Sequence, residues 1–260
     1  MTAGGAASRW LPPALLVVFL LGLWEGWVRA AATPAWLLPP PSAVGRALIA
    51  DRGLLLHHAR VTLTEVLLGF ALGLAAGVLL ATLLDASPAL ARAVYPLTVA
   101  SQTVPIPAVA RLLLVWFGYG LLPKVLVTAL VAFFPIAVAT FDGLRGTDRE
   151  VLRLLRSLGA GRWARFRLAK APSALPALFS GARVGVALSV IGAVFGELVG
   201  ASAGLGYLTT RAAADFRTAR VMAAIAVLAM MGIGLFALVA LAERLLLPWR
   251  RGLTGDGEPG

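Results

Sequence analysis

Six stretches of mostly apolar residues, each long enough to cross a bilayer, recur along this chain of 260 residues. A helix needs roughly 20 such residues to span the ~30 Å of hydrocarbon. The stretches are Leu11 to Val28, Thr62 to Leu84, Val94 to Phe117, Val125 to Phe141, Ala177 to Val199 and Val221 to Leu247. In hydrocarbon every backbone N–H and C=O must be satisfied internally, so the reading is an all-α polytopic membrane protein with about six transmembrane helices. Composition bears on this at one point. With 60% apolar and 13% charged residues and a mean hydropathy of +0.89, the polar residues could not cover a soluble globule. The first stretch has a second reading as a secretory signal, with Arg9 as the basic region and Ala30-Ala31-Ala32 as a cleavage site. The chain has no cysteine, which excludes disulfides, thiolate metal sites and cysteine nucleophiles.

The net charge of +11 does not point to nucleic acid, because the basic residues lie between apolar runs rather than on a solvated face. Anionic membrane lipid and a cytosolic protein are the expected partners. Orientation follows from where Lys and Arg fall. With a cytoplasmic N-terminus, the inner side receives Arg9, Arg92, the basic run from Arg145 to Lys170, and Arg244, Arg250 and Arg251. The outer side receives Arg29, Arg46, Arg52, Arg60, Lys124, Arg211, Arg217 and Arg220. The expected organisation is a cytoplasmic segment 1–10, a membrane domain 11–247 with a cytoplasmic loop 143–176, and a Gly- and Pro-rich disordered tail 248–260, also cytoplasmic. Between the first two spans, Pro39-Pro40-Pro41 predicts an extended outer segment, followed by a short amphipathic return over Ala43 to Ala50.

Helices in lipid approach closely where small residues recur every fourth position. Gly69, Gly73 and Gly77, followed by Ala81, form one such ridge. Gly181, Gly185 and Ser189, then Gly192, Gly196 and Gly200, form another, and both spans are expected in the bundle core. The third span carries "SQTVPIP", in which Pro105 and Pro107 remove backbone donors, so the helix must bend or break. Ser101, Gln102, Thr103 and Pro105 then either line a pathway or form a local kink whose hydroxyls satisfy the freed carbonyls. Glu25, Glu65 and Glu243 lie near span ends and are read as interfacially solvated. Glu197 and Arg111, near the outer ends of spans five and three, are read as facing an outward vestibule or as snorkelling.

No catalytic constellation is found. The chain lacks a Gly-x-x-x-x-Gly-Lys-Ser/Thr loop, so it does not cradle a nucleotide phosphate in the usual way. His57 and His58 are adjacent and do not face one ligand, so no metal site is expected, and both are read as wet at the outer interface. A channel or secondary transporter would instead call for inverted repeats and mid-membrane ionisable residues, and a lipid-modifying enzyme would rest on the two histidines.

The loop "RLLRSLGAGRWARFRLAKAPSALP" is the most charged part of the chain. Val151, Leu154, Leu155 and Leu158 recur at helical spacing, with Arg149, Arg153 and Arg156 on another face. Gly159-Ala160-Gly161 ends that helix, a second short helix runs from Arg162 to Lys170, Pro172 stops it, and Pro176 opens the fifth span. An apolar face left toward the cytosol suits a groove on a partner protein.

With these residues in view, the chain resembles the transmembrane permease subunits of bacterial ATP-binding-cassette importers of the nitrate/sulfonate/taurine type. Gly159 and Pro172 fall where that family's loop has its Gly and Pro. Arg153-Leu154-Leu155 stands at the Glu-Ala-Ala positions, and Ala169 and Ala171 at the Ile and Leu positions. "LPPPSAV", "VWFGYGLLPK", "FFPIAVATFDGL" and "GELVGASAGLGYL" resemble family segments in order and spacing, and together they span about residues 37 to 208. "LLRSLGA" and "ERLLLPW" resemble a branch associated with thiamine-pyrimidine or riboflavin uptake. The resemblance implies a MetI-like permease bundle in the inner membrane and a second permease copy. It also implies a cytosolic ATPase dimer that carries the ATP and magnesium, and a periplasmic or extracellular substrate-binding protein. The loop from Val151 to Pro172 would then be the ATPase-coupling element.

Overall fold

The computed structural model describes residues 4–248, with side chains from residue 11 onward. The readings made for the side chain of Arg9 and for the tail beyond Pro248, including Arg250 and Arg251, lie outside the described residues.

Two ridges of glycine and other small residues bring three helices into near backbone contact. The ridges lie on α3 (Arg52–Ala86) and α9 (Ala171–Gly200), and both face α6 (Leu121–Arg145). A Cβ added to Gly69 would lie 2.4 Å from Thr128 Cβ, and one on Gly73 2.7 Å from the Ala129 carbonyl oxygen. On the other side, a Cβ on Gly181 would lie 2.6 Å from the Pro135 carbonyl oxygen, and one on Gly192 3.0 Å from Thr128 Cα. Gly77 and Gly185 meet Ile136 in the same way. α6 answers with small or compact buried side chains, Val127, Thr128, Ala129, Ala132, Ile136 and Ala137. Ser189, in the α9 ridge, is buried and turns its hydroxyl back to the Gly185 carbonyl at 2.8 Å. Close approach of this kind trades apolar area for dispersion contact along the whole helix, the main source of helix association in lipid.

The remaining elements dress this core. α1 (Gly4–Ala30) lies mostly exposed, tied to α2 (Pro41–Ala50) by Glu25, which accepts from Ser42 N at 2.9 Å and Ser42 Oγ at 2.8 Å. α2 starts on the third proline itself, since a first-turn proline lacks only a donor the helix would not use. At the end of the bundle where α2 lies, Leu55, Leu205, Leu208, Ala223 and Ala224 form an apolar cluster beneath it. This cluster joins α3, α10 (Leu205–Ala214) and α11 (Thr218–Leu246). A bidentate pair, Arg220 to Asp51 at 2.7 and 2.8 Å, staples the α2–α3 junction to α11. Further along, Leu235 of α11 packs on Val66, Val186, Val190 and Ala193. At the opposite end, α7 (Arg149–Ser157) and α8 (Arg162–Arg165) connect α6 to α9.

Among the described residues, five helical segments are long and apolar enough to span, or six if one bent pair counts as a span. The pair is α4 (Pro88–Ser101) and α5 (Ile106–Phe117), bent by 100°. The expected single third span is thus two helices. Ser101 Oγ donates to the Thr98 carbonyl at 2.7 Å and Thr103 Oγ1 to the Ala100 carbonyl at 2.8 Å. Around the break, Gln102 N, Thr103 N and Val104 N also donate to the Val99, Ala100 and Ser101 carbonyls, so backbone turns and hydroxyls together satisfy it in part. The fifth span also differs from expectation, running continuously from Arg162 to Gly200. Pro172 does not stop it. A π-helical turn, Phe166–Lys170, closed by Ala171 N donating to the Phe166 carbonyl, widens the backbone just before the proline ring would clash. Glu25 and Glu243 are paired rather than simply solvated, with Arg29 and with Arg183 at 3.3 Å respectively.

Replacing Gly73 with Leu should cost at least the upper end of the ~1–3 kcal/mol typical of overpacking, because the obstacle is α6 backbone rather than a movable side chain. Thermal unfolding in detergent should show a clear loss for Gly73→Leu. Gly45→Ala, where nothing lies within 4 Å, should leave the midpoint unchanged or slightly raised.

Candidate functional site

The glycine ridge of α3 continues toward the α2 end as a polar stripe. His58, Thr62 and Glu65 lie on the same face as Gly69, one turn apart, and all three are buried, Thr62 and Glu65 completely. α9 ends close by with Glu197, 2% exposed, and α6 begins there with Lys124. Thr62 Oγ1 donates to Glu197 Oε1 at 2.6 Å and accepts from Leu205 N at 2.8 Å. Gly206 N donates to the other oxygen of Glu197. Gly204 N donates to His58 Nδ1 at 3.0 Å. Lys124 Nζ donates to Glu65 Oε1 at 2.8 Å, and the carboxyl groups of Glu65 and Glu197 are neighbours.

The local sequence explains why this assembly forms. Gly204 sits at φ +122°, a conformation side chains disfavour, and a Cβ there would lie 2.1 Å from Glu197 Cδ. Only glycine lets the chain leave α9, turn, and present consecutive backbone donors at the start of α10, Gly204 N to His58, Leu205 N to Thr62 and Gly206 N to Glu197. That helix terminus also favours negative charge. A buried charge costs several kcal/mol unless it is paired and hydrogen-bonded; here Glu197 takes the Thr62 hydroxyl and the Gly206 N–H, and Glu65 takes the Lys124 ammonium on Oε1 while its Oε2 is left without a hydrogen-bond partner. The arrangement holds no nucleophile and no open metal position, and among the described residues no cluster of three or more metal-ligand side chains occurs. Its capacity is mechanical: it latches the segment between α9 and α10 to α3 and α6, and it can open only by breaking several hydrogen bonds together.

The residues singled out from sequence fall as follows. Glu197, read as facing an outward vestibule or as snorkelling, does neither and is buried in this latch, where each oxygen has a partner. Arg111 is exposed on α5 and makes no ion pair with Glu197. Ser101 is half-buried and Gln102, Thr103 and Pro105 are exposed at the α4–α5 bend. His58, Thr62, Glu65 and Lys124 were not foreseen as a group, and the readings of Glu65 and His58 as solvated are corrected by their burial. His57 is exposed.

At the other end, α7 begins on Asp148, whose carboxylate accepts from Glu150 N at 2.7 Å. It ends in a Schellman arrangement: Gly159 N donates to the Arg156 carbonyl at 3.0 Å and Ala160 N to the Leu155 carbonyl at 2.9 Å. Gly159 is at φ +82°, so its identity sets the turn. Val151, Leu154 and Leu158 are exposed, Leu158 by 74%, while Leu155 is half-buried. Trp163, stacked on Phe166 with ring centroids 5.7 Å apart, is exposed as well. Arg153 lies on the polar side, 3.7 Å from Glu150. Gly161 starts α8, and Pro172 lies in the first turn of α9.

Among the described residues the protein is an all-helical bundle with a latched end and an exposed amphipathic helix between two spans. Residues 73–252 match the family described as the binding-protein-dependent transport system inner membrane component, and the chain belongs to that family. It is 40% identical over 241 residues to the formylaminopyrimidine transport permease protein ThiX of Halalkalibacterium halodurans, covering 93% of this chain and 96% of that one. It is 42% identical over 241 residues to the riboflavin transport system permease protein RibX of Chloroflexus aurantiacus, covering 92% and 89%. The taurine transport system permease protein TauC of Escherichia coli is 29% identical, covering 90% and 87%. Among solved structures, an amino acid ABC transporter crystallised with histidines shares the fold, with a TM-score of 0.58 and 21% identity over 76% of this chain and 96% of that one.

Lys124→Met should destabilise the protein by about 3–5 kcal/mol, because it leaves Glu65 buried without its cation. Adding Glu65→Gln should recover part of that loss. A double-mutant cycle on thermal unfolding measures the coupling, and strictly additive losses would show that the pair is not the unit described.

Proposed function

We propose that this chain is the permease subunit of an ATP-driven importer, paired with a second copy in the bacterial inner membrane and fed by an external binding protein. ATP and magnesium belong to a separate ATPase dimer that docks on α7. Both termini and α7 are cytoplasmic in this reading, and the latch lies at the outer end. The observation that carries it is the exposed Val151, Leu154 and Leu158 face of α7, held between an acidic N-cap and the Gly159 turn. It supports docking because an amphipathic helix set into a partner's groove transmits rigid-body motion.

The mechanism is alternating access. Closure of the ATPase dimer displaces α7, and α6 and α9, which flank it in the chain, move with it. The far ends of the same two helices carry Lys124 and Glu197. Opening the outer end therefore requires the latch to yield, and a few kcal/mol of differential binding energy is sufficient to shift such an equilibrium. The transported solute is small and polar. The greater similarity to permeases named for formylaminopyrimidine and riboflavin than to the taurine protein favours a nitrogen heterocycle over a small sulfonate.

The test is Gly159→Val in the assembled transporter. A Cβ at Gly159 meets nothing within 4 Å, so the variant should fold and reach the membrane. Its φ of +82° is adverse for a β-branched residue by roughly 1–2 kcal/mol, which should reshape the end of α7. Binding-protein-stimulated ATP hydrolysis should fall at least about tenfold, the change that ~1.4 kcal/mol produces. Normal stimulation would remove α7 from the coupling role.

A further inference from the structure

A basic cleft of about 720 Å³ opens beside α7, between the ends of α3 and α6 and the start of α4. Its floor is apolar, formed by Leu84, Tyr95, Phe141 and Leu144, with Tyr95 and Phe141 packed ring on ring at 5.1 Å. Its rim carries Arg92, Arg145 and Arg149. The other cation there, Lys170, is neutralised by Asp85 at 2.6 Å. Among the described residues none of the three arginines has a carboxylate within ion-pair distance. Arg145 is held over the Phe141 ring at 5.5 Å, which fixes a guanidinium at the junction of floor and rim.

We propose that this cleft binds an anionic phospholipid, with the phosphate on Arg92, Arg145 and Arg149 and the first part of an acyl chain along the floor. A soluble anion would use only the rim. The contiguous apolar floor, in helices that span the bilayer, calls for an amphiphile, and basic pockets between transmembrane helices on the cytoplasmic side are suited to anionic headgroups. Bound there, the lipid bridges α4, α6 and α7, and so ties the leaflet surface to the helix proposed to dock the ATPase. The placement in the inner leaflet rests on the orientation proposed above, but the binding itself does not.

Native mass spectrometry of the full chain in detergent, titrated with phosphatidylglycerol or phosphatidylcholine, tests this without any transport measurement. Phosphatidylglycerol adducts should form at concentrations several-fold lower than phosphatidylcholine adducts. Combining Arg92→Gln, Arg145→Gln and Arg149→Gln should weaken phosphatidylglycerol retention about tenfold or more. The matching Lys substitutions should retain most of it, and so should Arg162→Gln with Arg165→Gln and Arg167→Gln. On the wild-type chain, glycerol 3-phosphate at equal concentration should not displace the lipid. Equal retention of phosphatidylcholine, undiminished binding in the triple Gln variant, or displacement by glycerol 3-phosphate would each overturn the proposal. Loss of lipid binding would leave ATP-coupled transport intact as a reading, and failure of coupling at Gly159 would leave the adducts in place.

Discussion

The contact on which the rest of this structure depends is the near backbone approach of α3 and α9 to opposite faces of α6. At seven ridge positions, Gly69, Gly73, Gly77, Gly181, Gly185, Gly192 and Gly196, an added Cβ would come within 2.4 to 3.1 Å of α6. Within a bilayer there is little hydrophobic drive to hold helices together, so this geometric fit must do it. It also fixes the three helices in register along their length, and register decides what meets at the ends.

At one end the register brings Lys124 of α6 to Glu65 of α3 beside Glu197 of α9, with Thr62 and the Gly204 turn completing the latch. At the other it leaves α6 and α9 to be joined by α7, the Gly159 turn and α8, with the π-helical turn making α8 continuous with α9. A displacement of α7 is then carried by two packed helices rather than by a flexible chain. Closely packed interfaces tend to have discrete arrangements rather than a continuum, which suits the alternating access proposed here. The buried polar latch is costly to open piecemeal and therefore favours a cooperative transition.

Much of this was legible in the residues. Apolar length alone gave α1, α3, α6 and α11 to within a few turns, and fourfold small-residue spacing gave the two ridges. The break at Pro105 was visible, but its 100° bend was not, because missing donors say where a helix ends and tertiary packing says where the chain goes next. Pro172 misled, since a π-helical turn can absorb a proline and nothing in the local pattern announces one. The latch was half visible: His58, Thr62 and Glu65 fall in register with Gly69 and could have been read as a buried stripe rather than as interfacial groups. Lys124 and Glu197 lie 59 and 135 residues from their partners on that stripe, and spacing cannot pair groups so far apart. They do sit within "VWFGYGLLPK" and "GELVGASAGLGYL", the segments that carry the family resemblance.

The measurement that tests the account most directly is solute accumulation in proteoliposomes containing this chain, with its ATPase and binding protein added or withheld. The candidate solutes would be chosen by screening nitrogen heterocycles against the binding protein. Uptake should require all three components and ATP on the α7 side of the membrane. Solute flux through this chain alone, with no ATPase present, would contradict it and return the protein to the class of channels and secondary transporters.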